Sequence, residues 1–236
     1  MLATRIIPTM LGKNGALVKG RGYNAWRSVG SILQAARIYA TRGVDELCYL
    51  DIAATPDGRE PDYELVEQLV DKMFVPISIG GGIKTVEHVR ELLARGADKV
   101  VLGSAARTNP KLITQIADKF GSQAVTVSVD VPAGEKAYAI AMAVGAETAG
   151  AGEILLNAMD RDGTMDGYRL DLIKAVAESV DIPVIASGGC RDYDDMHEAI
   201  KAGASAIAAG ALFQFTDCTP KEAAQYLQGK GVEMRV

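Results

Sequence analysis

Cysteine is scarce. Cys48, Cys190 and Cys218 show no C-x-x-C or other metal-ligand spacing, which excludes a structural zinc site. An odd, sparse count also argues against a disulfide framework and suits a reducing compartment. The three thiols are expected to be packing residues. Histidine is rarer: His88 and His197 fall in helical patterns and are expected on outer faces. No stretch carries a run of one charge sign, and the net charge of −5 leaves no basic footprint for nucleic acid. No apolar run is long enough to cross a bilayer, and the first residues lack the apolar core of a signal peptide. These absences lead us to expect a soluble, cytoplasmic protein with no membrane or nucleic-acid partner, no metal and no cofactor.

What the chain does have is internal repetition. Residues 75–82 read Val-Pro-Ile-Ser-Ile-Gly-Gly-Gly and residues 182–189 read Ile-Pro-Val-Ile-Ala-Ser-Gly-Gly, an offset of 107. The same offset aligns Glu46-Leu47 with Glu153-Ile154, Arg95-Gly96-Ala97 with Ala202-Gly203-Ala204, and Gly103-Ser104-Ala105 with Gly210-Ala211-Leu212. Each copy runs apolar segment, glycine turn, helical pattern, Gly-Ala, apolar segment, small-residue turn. The 236 residues, 48% hydrophobic, suffice for one large core. The repeat points to a symmetric α/β architecture.

The apolar runs predict eight strands: 5–10, 46–52, 76–79, 99–102, 124–129, 154–159, 183–186 and 205–209. They are nearly continuous rather than alternating, as in a parallel sheet buried on both faces. Pro8 weakens the first strand by removing a ladder donor. Ser31, Asp62, Thr85, Asn109-Pro110, Asp192 and Thr219-Pro220 are expected to open helices, and another helix is expected over 170–180. Residues 12–28 are glycine-rich and polar, as in an active-site loop. Eight such units form a single-domain (βα)8 TIM barrel over 1–236, with a two-fold half-barrel repeat; a doubly wound open sheet is the alternative. Aligning Arg5–Leu11 with Ala124–Asp130 requires an offset of 119, so the fifth unit is 12 residues shorter than the first. Its expected helix, Glu135 to Thr148, carries Tyr138, Ile140, Met142 and Val144 at the period-two spacing of a strand, making it the least regular part.

In a barrel, the loops after the strands build the active site. Gly80-Gly81-Gly82, Ser187-Gly188-Gly189, Gly103-Ser104 and Gly210-Ala211 all fall there. Glycine lets the backbone approach an anion, and the next helix offers free N–H groups. Each half thus offers one phosphate cradle, and a substrate with a phosphate at each end fits. Carboxylates gather at the same ends: Asp51, Asp130, Asp160 and Asp162. Asp130 is the best general acid/base candidate. Asp162-Gly163-Thr164 suits ligand binding or an Asx turn equally, and Asp51 is a partner for Lys19. At the opposite strand ends, Arg5, Glu46, Lys99 and Glu153 could pair into a ring that plugs the barrel.

Several motifs resemble the cyclase subunit of imidazole glycerol phosphate synthase. They are Met1-Leu2-Ala3-Thr4-Arg5-Ile6-Ile7, Leu50-Asp51-Ile52, Gly80-Gly81-Gly82-Ile83, Ala97-Asp98-Lys99-Val100, Phe120-Gly121-Ser122-Gln123-Ala124, Gly150-Ala151-Gly152-Glu153-Ile154, Asp160-Arg161-Asp162-Gly163-Thr164 and Ile185-Ala186-Ser187-Gly188-Gly189. The resemblance implies a (βα)8 barrel that takes ammonia from a glutamine amidotransferase docked on its bottom face. The ammonia passes a charged gate, here Arg5, Glu46, Lys99 and Glu153, with Asp98 on the docking surface. It reacts at the top with a bis-phosphorylated ribulosyl carboxamide. The implied phosphate turns match at Gly82, Ser104, Gly163, Gly189 and Gly210, although Gly103 stands where that family usually has Asn. Lys19, Asp51 and Asp130 also match. The other catalytic aspartate does not: Leu11 occupies its place, and the family's longer segment after Asp130 is absent.

Leu11 cannot transfer a proton. The segment Arg5-Ile6-Ile7-Pro8-Thr9-Met10-Leu11…Lys13-Asn14-Gly15…Lys19 is closer to a paralogous branch associated with amidating acetamido sugars for surface polysaccharides, again with an amidotransferase. Two other functions fit less of the chain. A sugar-phosphate isomerase of the sister two-phosphate barrel family would also use two carboxylates. A phosphate-binding barrel with weakened or no activity would tolerate Asp130 alone.

Overall fold

The structure is a computed structural model describing residues 3–235. Met1 and Leu2, which open the first resembling motif, and Val236 lie outside the described residues. The apolar runs become the staves of a closed barrel: β1 (Arg5–Lys13), β4 (Leu47–Asp51), β5 (Ile77–Gly80), β6 (Lys99–Leu102), β7 (Val125–Val131), β8 (Glu153–Ala158), β9 (Val184–Ser187) and β10 (Ala206–Ala209). All eight are parallel to their neighbours, and β1 pairs with β10 to close the ring. Pro8 does not interrupt β1, which pairs with β10 over Arg5–Pro8 and with β4 over Thr9–Gly12. The open-sheet alternative is therefore excluded.

Around the barrel lie α1 (Ile32–Thr41), α2 (Tyr63–Val70), α3 (Val86–Ala94), α5 (Lys111–Phe120), α6 (Lys136–Thr148), α7 (Leu170–Ala177), α8 (Tyr193–Lys201) and α10 (Pro220–Gly229). Their starts follow local chemistry. The side chains of Ser31, Asp62, Thr85 and Asp192 accept from the backbone N–H of Gln34, Leu65, His88 and Asp195. Thr219 and Glu222 close a reciprocal capping box, and such caps contribute about 1 kcal/mol each. Asn109 departs from expectation: Pro110 occupies the cap position, with no side-chain cap bond. Two short helices, α4 (Ser104–Thr108) and α9 (Ala211–Phe215), were not anticipated, yet they stand at the same 107-residue offset as the rest of the repeat.

The fifth unit does form a helix, and its packing explains the misleading period. α6 buries Ala139, Ala143 and Ala146, while the larger residues are only partly covered. An alanine stripe lets the helix lie close to the sheet, so side-chain size does not mark the buried face.

Residues 12–28 depart most from expectation. They are no loop: β1 continues to Lys13, turns at Asn14-Gly15, and returns as β2 (Ala16–Arg21) and β3 (Asn24–Gly30), both antiparallel. Asn14 and Gly15 have φ of 52° and 76°, as a two-residue type I′ hairpin requires. The Asn-Gly pair was the available signal.

Residues alternate across each strand. One face, including Ile6, Met10, Val127 and Leu156, packs beneath the helices. Inside the barrel, Ile7, Cys48, Val101, Leu155, Ile185, Ala206 and Ala208 form a separate apolar layer against Leu50. Each large aliphatic side chain fully buried this way contributes about 1.5–3 kcal/mol. Polar residues of the same inward parity lie above and below that layer.

Candidate active site

Below the apolar layer, the four charges close into a ring. Arg5 pairs with Glu46 (2.7 Å) and Glu153 (2.5 Å), and Lys99 with Glu46 (3.0 Å) and Glu153 (2.9 Å). Ser78 Oγ adds a hydrogen bond to Glu46 Oε1 at 3.0 Å. Burial works against the charge on Arg5, but Glu153 and Glu46 outweigh it and hold its pKa above the ordinary value. Asp98 lies exposed at the same end and accepts from Ile77 N at 2.9 Å. Nearby in the chain, Phe74 is 95% exposed.

Above the layer, the strand ends and their loops enclose a cavity of about 480 Å³. All the strand-end candidates named above except Gly80 and Asp160 line it, as does Leu11. The glycines there are structural necessities in part. Gly189 has φ +102°, and a Cβ on it would lie 2.3 Å from Gly167 O; Gly163 has φ +72°, and its Cβ would lie 2.1 Å from Gly20 O. Gly163 thereby lets the β2–β3 hairpin dock on the loop after β8.

Lys19 completes that docking with a buried ion pair to Asp162 at 2.7 Å, and Gly22 N donates to Asp162 O at 2.7 Å. The expected Lys19–Asp51 pair is therefore replaced. Asp51 instead accepts from Ala53 N and Ala54 N and pairs with Arg59 at 3.3 Å. The reason is the hairpin, which carries Lys19 across to β8. A Cβ on Gly210 would be 3.3 Å from Lys19 Nζ, which puts the ammonium beside the second glycine turn.

Asp130, one residue before the end of β7, lines the cavity. Its Oδ1 accepts from Tyr23 Oη (2.6 Å), Ser128 Oγ (3.2 Å) and Asn157 Nδ2 (3.4 Å), and Asn157 Nδ2 also donates to Tyr23 Oη (2.5 Å). Tyr23, Ser128 and Asn157 were not foreseen. Ser128 and Asn157 could have been found by counting inward parity on β7 and β8; Tyr23 had no sequence signal. Burial, and next the charge of Asp130, push the Tyr23 hydroxyl well above its ordinary value of 10, so it is protonated and donates at neutral pH. Thr9 Oγ1, Asn157 Oδ1 and Asp162 Oδ2 are buried without a partner, and all three residues line the cavity. A second cavity, about 510 Å³, shares Tyr23, Ser104 and Asp130 with the first and opens toward the short fifth unit beside Tyr138 and Met142.

A carboxylate near a strand end, glycine turns and a buried lysine thus share one mouth of the barrel. The histidine biosynthesis protein family matches residues 5–219. The chain belongs to that family. Imidazole glycerol phosphate synthase subunit HisF of Chlorobium phaeobacteroides (strain BS1) is 41% identical over 251 aligned positions, covering all of both chains. The same subunit of Chlorobaculum parvum (strain DSM 263 / NCIMB 8327) is also 41% identical over 251 positions and all of both chains. That of Endomicrobium trichonymphae is 40% identical over 250 positions, covering all of this chain and 96% of its own. These alignments are longer than the 236 residues of this chain. Among the described residues, no helix is long and apolar enough to cross a membrane.

Proposed function

We propose that this chain is the ammonia-accepting synthase subunit of a glutamine-dependent enzyme pair, working in the cytoplasm as one barrel domain over 1–236. A glutamine amidotransferase docks on the bottom face around Asp98 and the four-charge ring. Ammonia passes the ring as one ion pair opens, crosses the apolar interior, and meets a phosphorylated substrate at the top. The observation that carries this reading is the pairing of a closed charged ring at one end of the barrel with a two-cradle cavity at the other. Full-length similarity to subunits named imidazole glycerol phosphate synthase supports it.

The mechanism follows from the side chains. The glycine turns after β5, β6, β9 and β10 hold phosphate oxygens by backbone N–H groups, and Lys19, while paired with Asp162, lies beside Gly210 where it can donate to one of those oxygens. Asp130 takes the proton that ammonia loses on attacking the substrate carbon. Leu11, on the same cavity wall and 8% exposed, has no proton to exchange. General acid/base assistance is worth about 10²–10⁴-fold, so imidazole ring closure with two proton-transfer groups is disfavoured. The second, narrower reading is amidation of an acetamido sugar, in which ammonia adds to the acetamido carbon and the carbonyl oxygen leaves as water with two protons from the attacking nitrogen, relayed by Asp130; Leu11 favours it only by disfavouring the two-carboxylate ring closure.

The test is ammonium-dependent turnover of the bis-phosphorylated ribulosyl carboxamide at high pH, without a partner. The expected result is slow turnover, raised little by Leu11→Asp and abolished by Asp130→Asn. Wild-type turnover at an ordinary enzymatic rate would overturn the amidation reading and require another group in place of the missing aspartate.

A further inference from the structure

Tyr23 stands where backbone chemistry disfavours it. Gly22 and Tyr23 are the two central residues of the β2–β3 turn, with φ of 59° and 62°, and Arg21 pairs with Asn24 across it. Such turns favour Gly or Asn at both places, and a left-handed conformation costs a larger side chain about 1–2 kcal/mol. The strain persists because the hairpin is anchored to Asp162 just before and within the turn, by the Lys19–Asp162 pair and by Gly22 N on Asp162 O. What the strained residue delivers is its hydroxyl, at 2.6 Å from Asp130 Oδ1 across 107 residues of chain. Asn157 Nδ2 donates to that hydroxyl at 2.5 Å and to the same carboxylate oxygen at 3.4 Å, so the hydroxyl accepts from the amide and its own hydrogen goes to the carboxylate. Among the described residues, every side-chain hydrogen bond to Asp130 lands on Oδ1. Oδ2 is left for whatever enters the cavity.

We propose that Tyr23 is a positioning residue, whose hydroxyl fixes Asp130 by one oxygen so that the other is presented to the reacting atoms. The proposal rests on the reading of Asp130 as the proton-transfer group. It gives the β2–β3 hairpin a role beyond covering the mouth, because carboxylate orientation depends on the hairpin being docked. It also accounts for a turn that gives up favourable residues at position 23.

Two measurements on the full-length protein test it. The first needs no activity. With ¹³Cζ-labelled tyrosine, the Tyr23 resonance is followed against pH in wild type and in Asp130→Asn. The protonated phenol persists far above the ordinary value in wild type, and its midpoint falls in the variant as the carboxylate charge is removed. An unchanged midpoint overturns the contact and the proposal. The second uses whichever substrate wild type turns over, the ribulosyl carboxamide or an acetamido sugar nucleotide, with ammonium salt. Tyr23→Phe keeps the ring and removes only the hydroxyl. We expect kcat to fall at least about tenfold with KM changed less than about twofold. An unchanged kcat, or a loss carried by KM alone, would make Tyr23 merely structural. Trp26, the single tryptophan, sits edge-on to Tyr23 at 6.3 Å; its emission should be unchanged in Tyr23→Phe, and a shift with lost activity would assign the effect to hairpin misplacement instead. If wild type turns over neither substrate, the functional reading fails while the NMR titration still decides the contact.

Discussion

Replacing Glu46 by Ala removes the most buried member of the charged ring. Glu46 is 2% exposed and accepts from Arg5 (2.7 Å), Lys99 (3.0 Å) and Ser78 (3.0 Å). After the change, two cations face one carboxylate and the Ser78 hydroxyl loses its carboxylate partner. Breaking a buried ion pair by deleting one partner costs about 3–5 kcal/mol. The Arg5 and Lys99 side chains are 12% and 16% exposed, so water can reach them in part, and the low end of the range, about 3 kcal/mol, applies. For a domain of this length each kcal/mol lowers Tm by about 2–4 °C, giving a fall of about 6–12 °C. Urea unfolding and thermal melts followed by circular dichroism measure both quantities, and the loss should change little between low and moderate salt. A loss under about 1 kcal/mol, the range of exposed pairs, would refute the argument and make the ring a solvated cluster.

Three other outcomes are expected. Burial pushes the thiols of Cys48 and Cys190 up to about 12, so neither carries thiolate at pH 8; an aromatic disulfide reagent should titrate Cys218 alone in the native protein and all three cysteines after denaturation. Calorimetry should detect inorganic phosphate binding to wild type, weakened at least about tenfold by Ser104→Glu, whose carboxylate repels an anion at the turn after β6. Phe74→Glu, at a side chain 95% exposed, should leave stability within about 0.5 kcal/mol while weakening capture of a glutaminase partner; unaltered capture would move the docking surface elsewhere.

Local signals proved readable and long-range ones did not. The capping residues Ser31, Asp62, Thr85 and Asp192 open their helices because a cap involves only a side chain and an N–H three residues on. The strands were legible because burial on both faces demands unbroken apolar runs. The glycine turns and Asp130 followed from the rule that strand ends face the mouth. Lys19 was assigned to the site, but its partner was not: Asp162 is 143 residues away, and only the docked hairpin brings them together. Tyr23 was invisible for the same reason, hidden in a stretch whose glycines and polar residues suggested a loop. The hairpin itself was signalled by Asn14-Gly15. α6 shows the converse problem, since its alanine stripe carries the packing information that the larger residues obscure.

The ring's membership breaks the symmetry of the repeat that supplies it. Glu46 and Glu153 are equivalent at the 107-residue offset, but Lys99 corresponds to Ala206, and Arg5, at the 119-residue offset, to Ala124. Both cations therefore come from the first half, and each half contributes one anion. Two copies of the first half, assembled as a barrel, would bring four cations against two anions to the centre; two copies of the second half would bring two anions and nothing to neutralise them. Only the unlike halves together give an electrically balanced plug. Identical halves could not form this ring, so the small residues at 124 and 206 make the two halves non-interchangeable.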